Sequence, residues 1–131
     1  MPSRELAPVV QAFLAAHVRT VEHLHVLMTI IDGGDRWWDA QALSRELHTS
    51  LGASRRALDW FAQHNLLDIR ITDDVRYQFR PGTEELRLAA LAAADAFHTN
   101  PIAVLQVTGA TRRGMRDFAD AFRIRRDDDD R

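Results

Sequence analysis

Ala40-Gln41-Ala42-Leu43-Ser44-Arg45-Glu46-Leu47, then His48-Thr49-Ser50-Leu51-Gly52, then residues 53–65, then Leu67-Asp68-Ile69-Arg70-Ile71 and Tyr77-Gln78-Phe79-Arg80: this order of segments, within residues 38–81, decides the fold. The first segment spaces Ala42, Leu43 and Leu47 as one buried helical stripe, with Asp39 placed to cap it. The second is a turn, with Ser50 or Ser54 as candidate caps of the helix that follows. In that helix Ala57, Leu58 and Phe61 face inward, and Asn65 is the expected left-handed stop. Helix, turn, helix and two-stranded ribbon are the parts of a winged helix-turn-helix, with 39–65 as the helix pair and 67–80 as the wing. A unit of this kind can lay its second helix in a DNA major groove and its ribbon along the backbone or minor groove.

The ribbon's register follows from its alternation. Pairing Ile71 with Tyr77 and Ile69 with Phe79 keeps one apolar face, whereas a two-residue loop of Asp73 and Asp74 would set an apolar row against a polar one. This register leaves residues 72–76 as a long tip. The outer face then carries Asp68, Arg70, Gln78 and Arg80.

Outward from this unit the chain reads as helix on both sides. Residues 6–31 recur in apolar steps of three and four, as one long helix or as two with a break between His17 and Thr20. Their apolar surface is wider than one stripe, so two packing partners are expected: the domain core and a second subunit. Asp32-Gly33-Gly34-Asp35 ends this region, and Arg36-Trp37-Trp38 reads as a short extended piece with one tryptophan inward and one partly exposed. After the ribbon, Pro81-Gly82-Thr83 leads into an Ala-rich helix from Glu84 to about His98. Asn100-Pro101 is a cap and first position for another helix. Residues 102–107 are ambiguous between helix and strand, with helix favoured. Gly109 ends or kinks that segment, and Met115, Phe118, Ala119 and Phe122 space a last amphipathic helix.

The expected fold class is therefore mostly α with a small β-ribbon: a single winged-helix domain over 1–124, with C-terminal helices at 84–124. The remainder, 125–131, is expected to be a disordered acidic tail. Composition fits a folded chain: 131 residues, 46% hydrophobic, with no cysteine and hence no disulfide or thiolate metal site. All 17 basic residues are arginine, set against 19 acids for a net charge of −2. Setting aside the acidic run 127–130 leaves the body near +2, which permits DNA binding without arguing for it. The N-terminal residues lack a signal-peptide layout, and no apolar run approaches the ~20 residues of a membrane span. A cytoplasmic location is expected, with no membrane partner.

The segment 43–86 resembles the MarR-type winged-helix regulators of bacteria. Ala42-Leu43-Ser44-Arg45-Glu46-Leu47 is similar to the family's first motif helix, and Arg56-Ala57-Leu58-Asp59-Trp60-Phe61 with Asn65-Leu66-Leu67 is similar to its recognition helix and exit turn. Asp74-Val75-Arg76 resembles its Asp-x-Arg wing tip, and Arg80-Pro81-Gly82-Thr83-Glu84-Glu85 its run into the next helix. The resemblance implies that Arg76 approaches the minor groove and that Asp74 orients it. Asn65 stands where that family usually has glycine, and Asp73 adds a negative charge at the tip.

The leading expectation is a sequence-specific, DNA-binding transcriptional regulator. Ser54, Arg55, Arg56 and Gln63 would face the major groove, where Arg can read guanine and Gln adenine. Arg70, Arg76 and Arg80 would hold phosphates or the minor groove, with Asp74 at the tip. A homodimer through the N- and C-terminal helices is expected, since one recognition helix reads only a half-site. The alternative is a winged-helix protein–protein interaction module or adaptor that does not bind DNA, supported by the weak net charge, Asp73 and Asp74, and the aromatic potential of Trp37 and Trp60. No enzymatic motif, phosphate-binding loop or cofactor site is expected. His17, His23 and His25 invite a metal reading, but their spacing scatters them along a helix and no acid completes a set. The space between N- and C-terminal helices leaves room for a small-molecule effector that no residue identifies.

Overall fold

A computed structural model describes residues 6–108. The elements are α1 (Pro8–His17), α2 (Val21–Asp32), β1 (Trp37–Trp38), α3 (Ala40–Leu47), α4 (Leu51–Gln63), β2 (Leu67–Ile71), β3 (Val75–Phe79), α5 (Glu84–Thr99) and α6 (Pro101–Val107). The described chain is thus mostly helical with a small antiparallel sheet, an arrangement compatible with a winged helix. The expected helix over 115–122 and the tail lie outside the described residues. Among the described residues no helix is long and apolar enough to cross a membrane.

Caps explain most boundaries. The N-terminal region is two helices, because Val18 is extended and the Thr20 hydroxyl accepts from His23 N at 2.9 Å to start α2. Asp39 starts α3 by accepting from Ala42 N, and Ser50 starts α4 by accepting from Ala53 N. Ser50 is therefore the cap, and α4 begins and ends two residues earlier than the expected 53–65. Asn65 adopts the left-handed φ of 66° that was expected, and His48 does so at the end of α3, with φ 55°. Thr83 caps α5, and Asn100 with Pro101 starts α6, which makes 102–107 helical.

The core is built where these helices meet. Leu14, Leu24, Leu27, Ile30, Leu43, Leu58, Phe61 and Leu66 are fully buried. α3 packs on α4, and α2 packs on both. α1 lies against α5 and α6, where the buried Ala90, Ala93 and Ala94 on α5 let helices approach closely. Within the chain, the wide N-terminal apolar surface packs on α5 and α6 as well as on the helices α3 and α4.

The sheet order is β1-β3-β2. The ribbon pairs Leu67 with Phe79, Ile69 with Tyr77 and Ile71 with Val75. This is two residues tighter than the expected Ile71–Tyr77 register, so the tip is only residues 72–74 and Val75 is paired. A shift of two leaves every side chain on its expected face, which is why alternation alone does not distinguish the registers. Thr72 N donates to Asp74 O at 3.0 Å across the shorter tip. Gln78, expected on the outer face, is buried: β1 pairs alongside it, and its Nε2 donates to Asp35 O at 2.6 Å. Trp38 is buried and Trp37 half-buried, as expected.

Candidate nucleic-acid interface

α4 and the ribbon hold the predicted contact residues, and the structure sorts them into four groups. Arg55 and Arg56 are exposed on α4, and neither makes an ion pair with another described residue. As successive residues they diverge by about 100° around the helix. Arg55 lines a groove between α4 and the ribbon, and Arg56 lines a second one between α4 and the start of α2. Gln63 is exposed at the far end of α4, eight residues or about 12 Å along the axis from Arg55.

Ser54 is a correction. It is fully buried, and its Oγ has no hydrogen-bond partner among the described residues, so it does not reach a groove contact from this position. It shares the face of Ala57, Leu58 and Phe61, at helical steps of three, four and seven.

The ribbon arginines are exposed but already engaged. Arg76 Nε donates to both carboxylate oxygens of Asp74, 3.2 Å each, so the Asp–Arg contact implied at the tip is formed. Arg80 lies 3.7 Å from Asp68, and the Arg70 guanidinium sits 4.4 Å above the Trp37 ring. Across 39–80 six arginines meet six carboxylates, for a formal charge of zero with histidine neutral. A DNA-facing surface of this composition would draw little on bulk electrostatics.

The groove beside Arg55, of about 680 Å³, is aliphatic as well as charged. Leu51, Ile69, Ile71 and Val75 are all at least 41% exposed along it, and Asp59 and Tyr77 close its floor. Tyr77 is buried and its hydroxyl donates to Asp59 Oδ1 at 2.7 Å, tying β3 to α4. Burial, then the Asp59 hydrogen bond and charge, push the phenol up to about 12.

On the other side of α4, Trp60 organises a histidine cluster. Its indole N–H donates to His17 O at 2.7 Å, and its ring stacks on His64 and on His23 at 4.2 and 5.0 Å. His17 Nδ1 and His64 Nδ1 are 2.9 Å apart, a contact that requires one proton between them. Burial holds His17, His23 and His64 below the usual histidine value, with the neighbouring His64 lowering His17 further. Of the three histidines weighed in the sequence, His25 stands exposed, apart from this cluster. His64, which joins it from 47 residues away, carried no local signal. Among the described residues no group of three or more His, Asp or Glu is placed to hold a metal ion.

No family model, curated protein or solved structure matches this chain.

Proposed function

We propose that this chain is a DNA-binding transcriptional regulator of the winged-helix type, with α4 in the major groove and the ribbon on the backbone or minor groove. The observation that carries the reading is that Arg55 and Arg56 are both exposed on α4, each beside its own groove, and free of ion pairs among the described residues. Guanidinium groups left unpaired at such a position are suited to guanine edges or phosphates. The Asp74–Arg76 tip contact and the MarR-type resemblance support the same assignment. The neutral balance of 39–80 implies weak non-specific affinity, so specificity would rest on few direct contacts. Such a regulator would act in the cytoplasm, as a symmetric dimer spanning two half-sites.

The test is a titration of the chain with a genomic fragment library and a random duplex pool at several salt concentrations. Binding should weaken with salt by a log–log slope of about −0.9 per phosphate contact. Arg55→Ala with Arg56→Ala should cost on the order of 1–3 kcal/mol per lost base contact. Salt-independent binding, or affinity unchanged in the double variant, would refute the assignment.

A second reading, a winged-helix module that docks a protein and not DNA, is favoured by one observation. The groove beside Arg55 exposes four aliphatic side chains, and exposed apolar patches of this kind mark protein contacts more often than nucleic-acid contacts. Absence of any duplex binding in the titration above would select it.

A further inference from the structure

Among the described residues strand β2 is an edge of the sheet, with its backbone open on one side. Arg80 N donates to Leu66 O and Thr72 N to Asp74 O, each at 3.0 Å, so the even-numbered residues from 66 to 72 exchange bonds toward β3. By alternation, the N–H and C=O groups of Leu67, Ile69 and Ile71 point away from it. Ile69 N accordingly bonds only to the neighbouring Asp68 Oδ1, at 3.0 Å. Along this edge Ile69 is 42% exposed and Ile71 74% exposed. An exposed aliphatic edge strand is a template for another strand.

Leu67-Asp68-Ile69-Arg70-Ile71 is self-complementary about Ile69. In an antiparallel pair of two copies centred there, Ile69 faces Ile69, Leu67 faces Ile71, and Asp68 faces Arg70 twice. No neighbouring register does as well. A shift of two in either direction sets Asp68 against Asp68 or Arg70 against Arg70, and a shift of one sets aliphatic side chains against charged ones. The open N–H and C=O groups of Ile69 also have the parity that a hydrogen-bonded central pair requires.

We propose that β2 pairs antiparallel with β2 of a second copy of this chain, about a two-fold axis at Ile69, joining two three-stranded sheets into one of six. The pairing covers Ile69 and Ile71, which otherwise stand in solvent. Arg70 leaves the Trp37 ring, and Asp68 releases Ile69 N and its 3.7 Å contact with Arg80. These are exposed contacts that solvent screens. The interface differs from a helical one through α1 and α5, which already cover each other within the chain. It does not depend on the nucleic-acid reading, because it is measured without DNA and leaves Arg55 and Arg56 untouched.

Sedimentation equilibrium on the full chain, from low micromolar to several hundred micromolar, tests it with charge exchange. The wild type should form a dimer. Asp68→Arg alone and Arg70→Asp alone each oppose like charges twice and should weaken association at least about tenfold. An equimolar mixture of the two single variants restores both attractive pairs and should form a heterodimer, and the chain carrying both changes should form a homodimer. The mixture also guards against misfolding, since unfolded variants do not recover a defined dimer. A wild type that stays monomeric, single variants that associate as tightly as wild type, or a mixture that stays monomeric would each overturn the proposal.

Discussion

Tyr77→Phe tests how the ribbon is held on α4. The change removes one oxygen whose hydroxyl donates to Asp59 Oδ1 at 2.7 Å and leaves the buried ring in place. A hydrogen bond to a charged acceptor contributes about 1.5–3 kcal/mol, and Asp59 is exposed enough to recover water when the hydroxyl goes, so the lower end applies. With unfolding entropy near 2.1 cal/mol/K per residue, a loss of about 1.5 kcal/mol lowers Tm by roughly 6 °C. A group whose folded pKa is raised favours the folded state below its unfolded pKa and loses that contribution as pH rises through the folded value. Wild-type stability should therefore decline between pH 10 and about 12, and Tyr77→Phe should lack that part of the decline. Thermal melts and urea titrations of wild type, Tyr77→Phe, Asp59→Asn and the double variant provide the measurement. Strict additivity in this cycle, or a Tyr77→Phe chain as stable as wild type with the same alkaline decline, would refute the tie between ribbon and helix.

Three further outcomes are expected. Ser54→Ala should stabilise the chain by about 1 kcal/mol in urea, because a buried hydroxyl with no partner among the described residues is removed, and should leave any DNA affinity unchanged; a loss of binding would restore Ser54 to the contact set. Gly82→Ala should cost under about 1 kcal/mol, since the exposed Asn65 side chain that an added Cβ would meet can swing into solvent; a larger loss would show that Asn65 is held in place. His17, His23 and His64 all have lowered folded pKa values, so their contribution is complete above the ordinary 6.5 and is lost as pH falls through those values. Urea unfolding followed by circular dichroism should show stability falling below about pH 6.5, and His17→Asn with His64→Asn should flatten that fall. An equally steep fall in the double variant would show that the cluster is not its source. His98, raised by the Ala94 carbonyl and Asp32, acts with the opposite sign, and its exposure keeps that contribution small.

The helices and their ends were legible because their signals are local. Asp39, Asn100 with Pro101, and Asn65 each act on groups within a few residues, so their roles follow from spacing. The buried stripe of α4 was legible too, and it contained the fact that Ser54 shares its face. The serine's polarity argued for the surface and the period argued for the interior; packing followed the period. The burial of Gln78 has a different cause. The extended piece at 36–38 carries no sign of its register, and its pairing beside Gln78 sets Asp35 O 2.6 Å from the Gln78 amide, 43 residues away in the chain.

Among the described residues the sequence by itself determined most element types, most boundaries and which side chains share a face, because those depend on periods of two and 3.6 and on hydrogen bonds spanning three or four residues. Tertiary structure alone decided the ribbon's register, the covering of α1 by α5 and α6, the Tyr77–Asp59 tie, and the meeting of His17 with His64 around Trp60. The physical reason is common to all four. Each depends on contacts between residues distant in the chain, or on a choice between registers that preserve the same faces, and neither leaves a mark in local spacing.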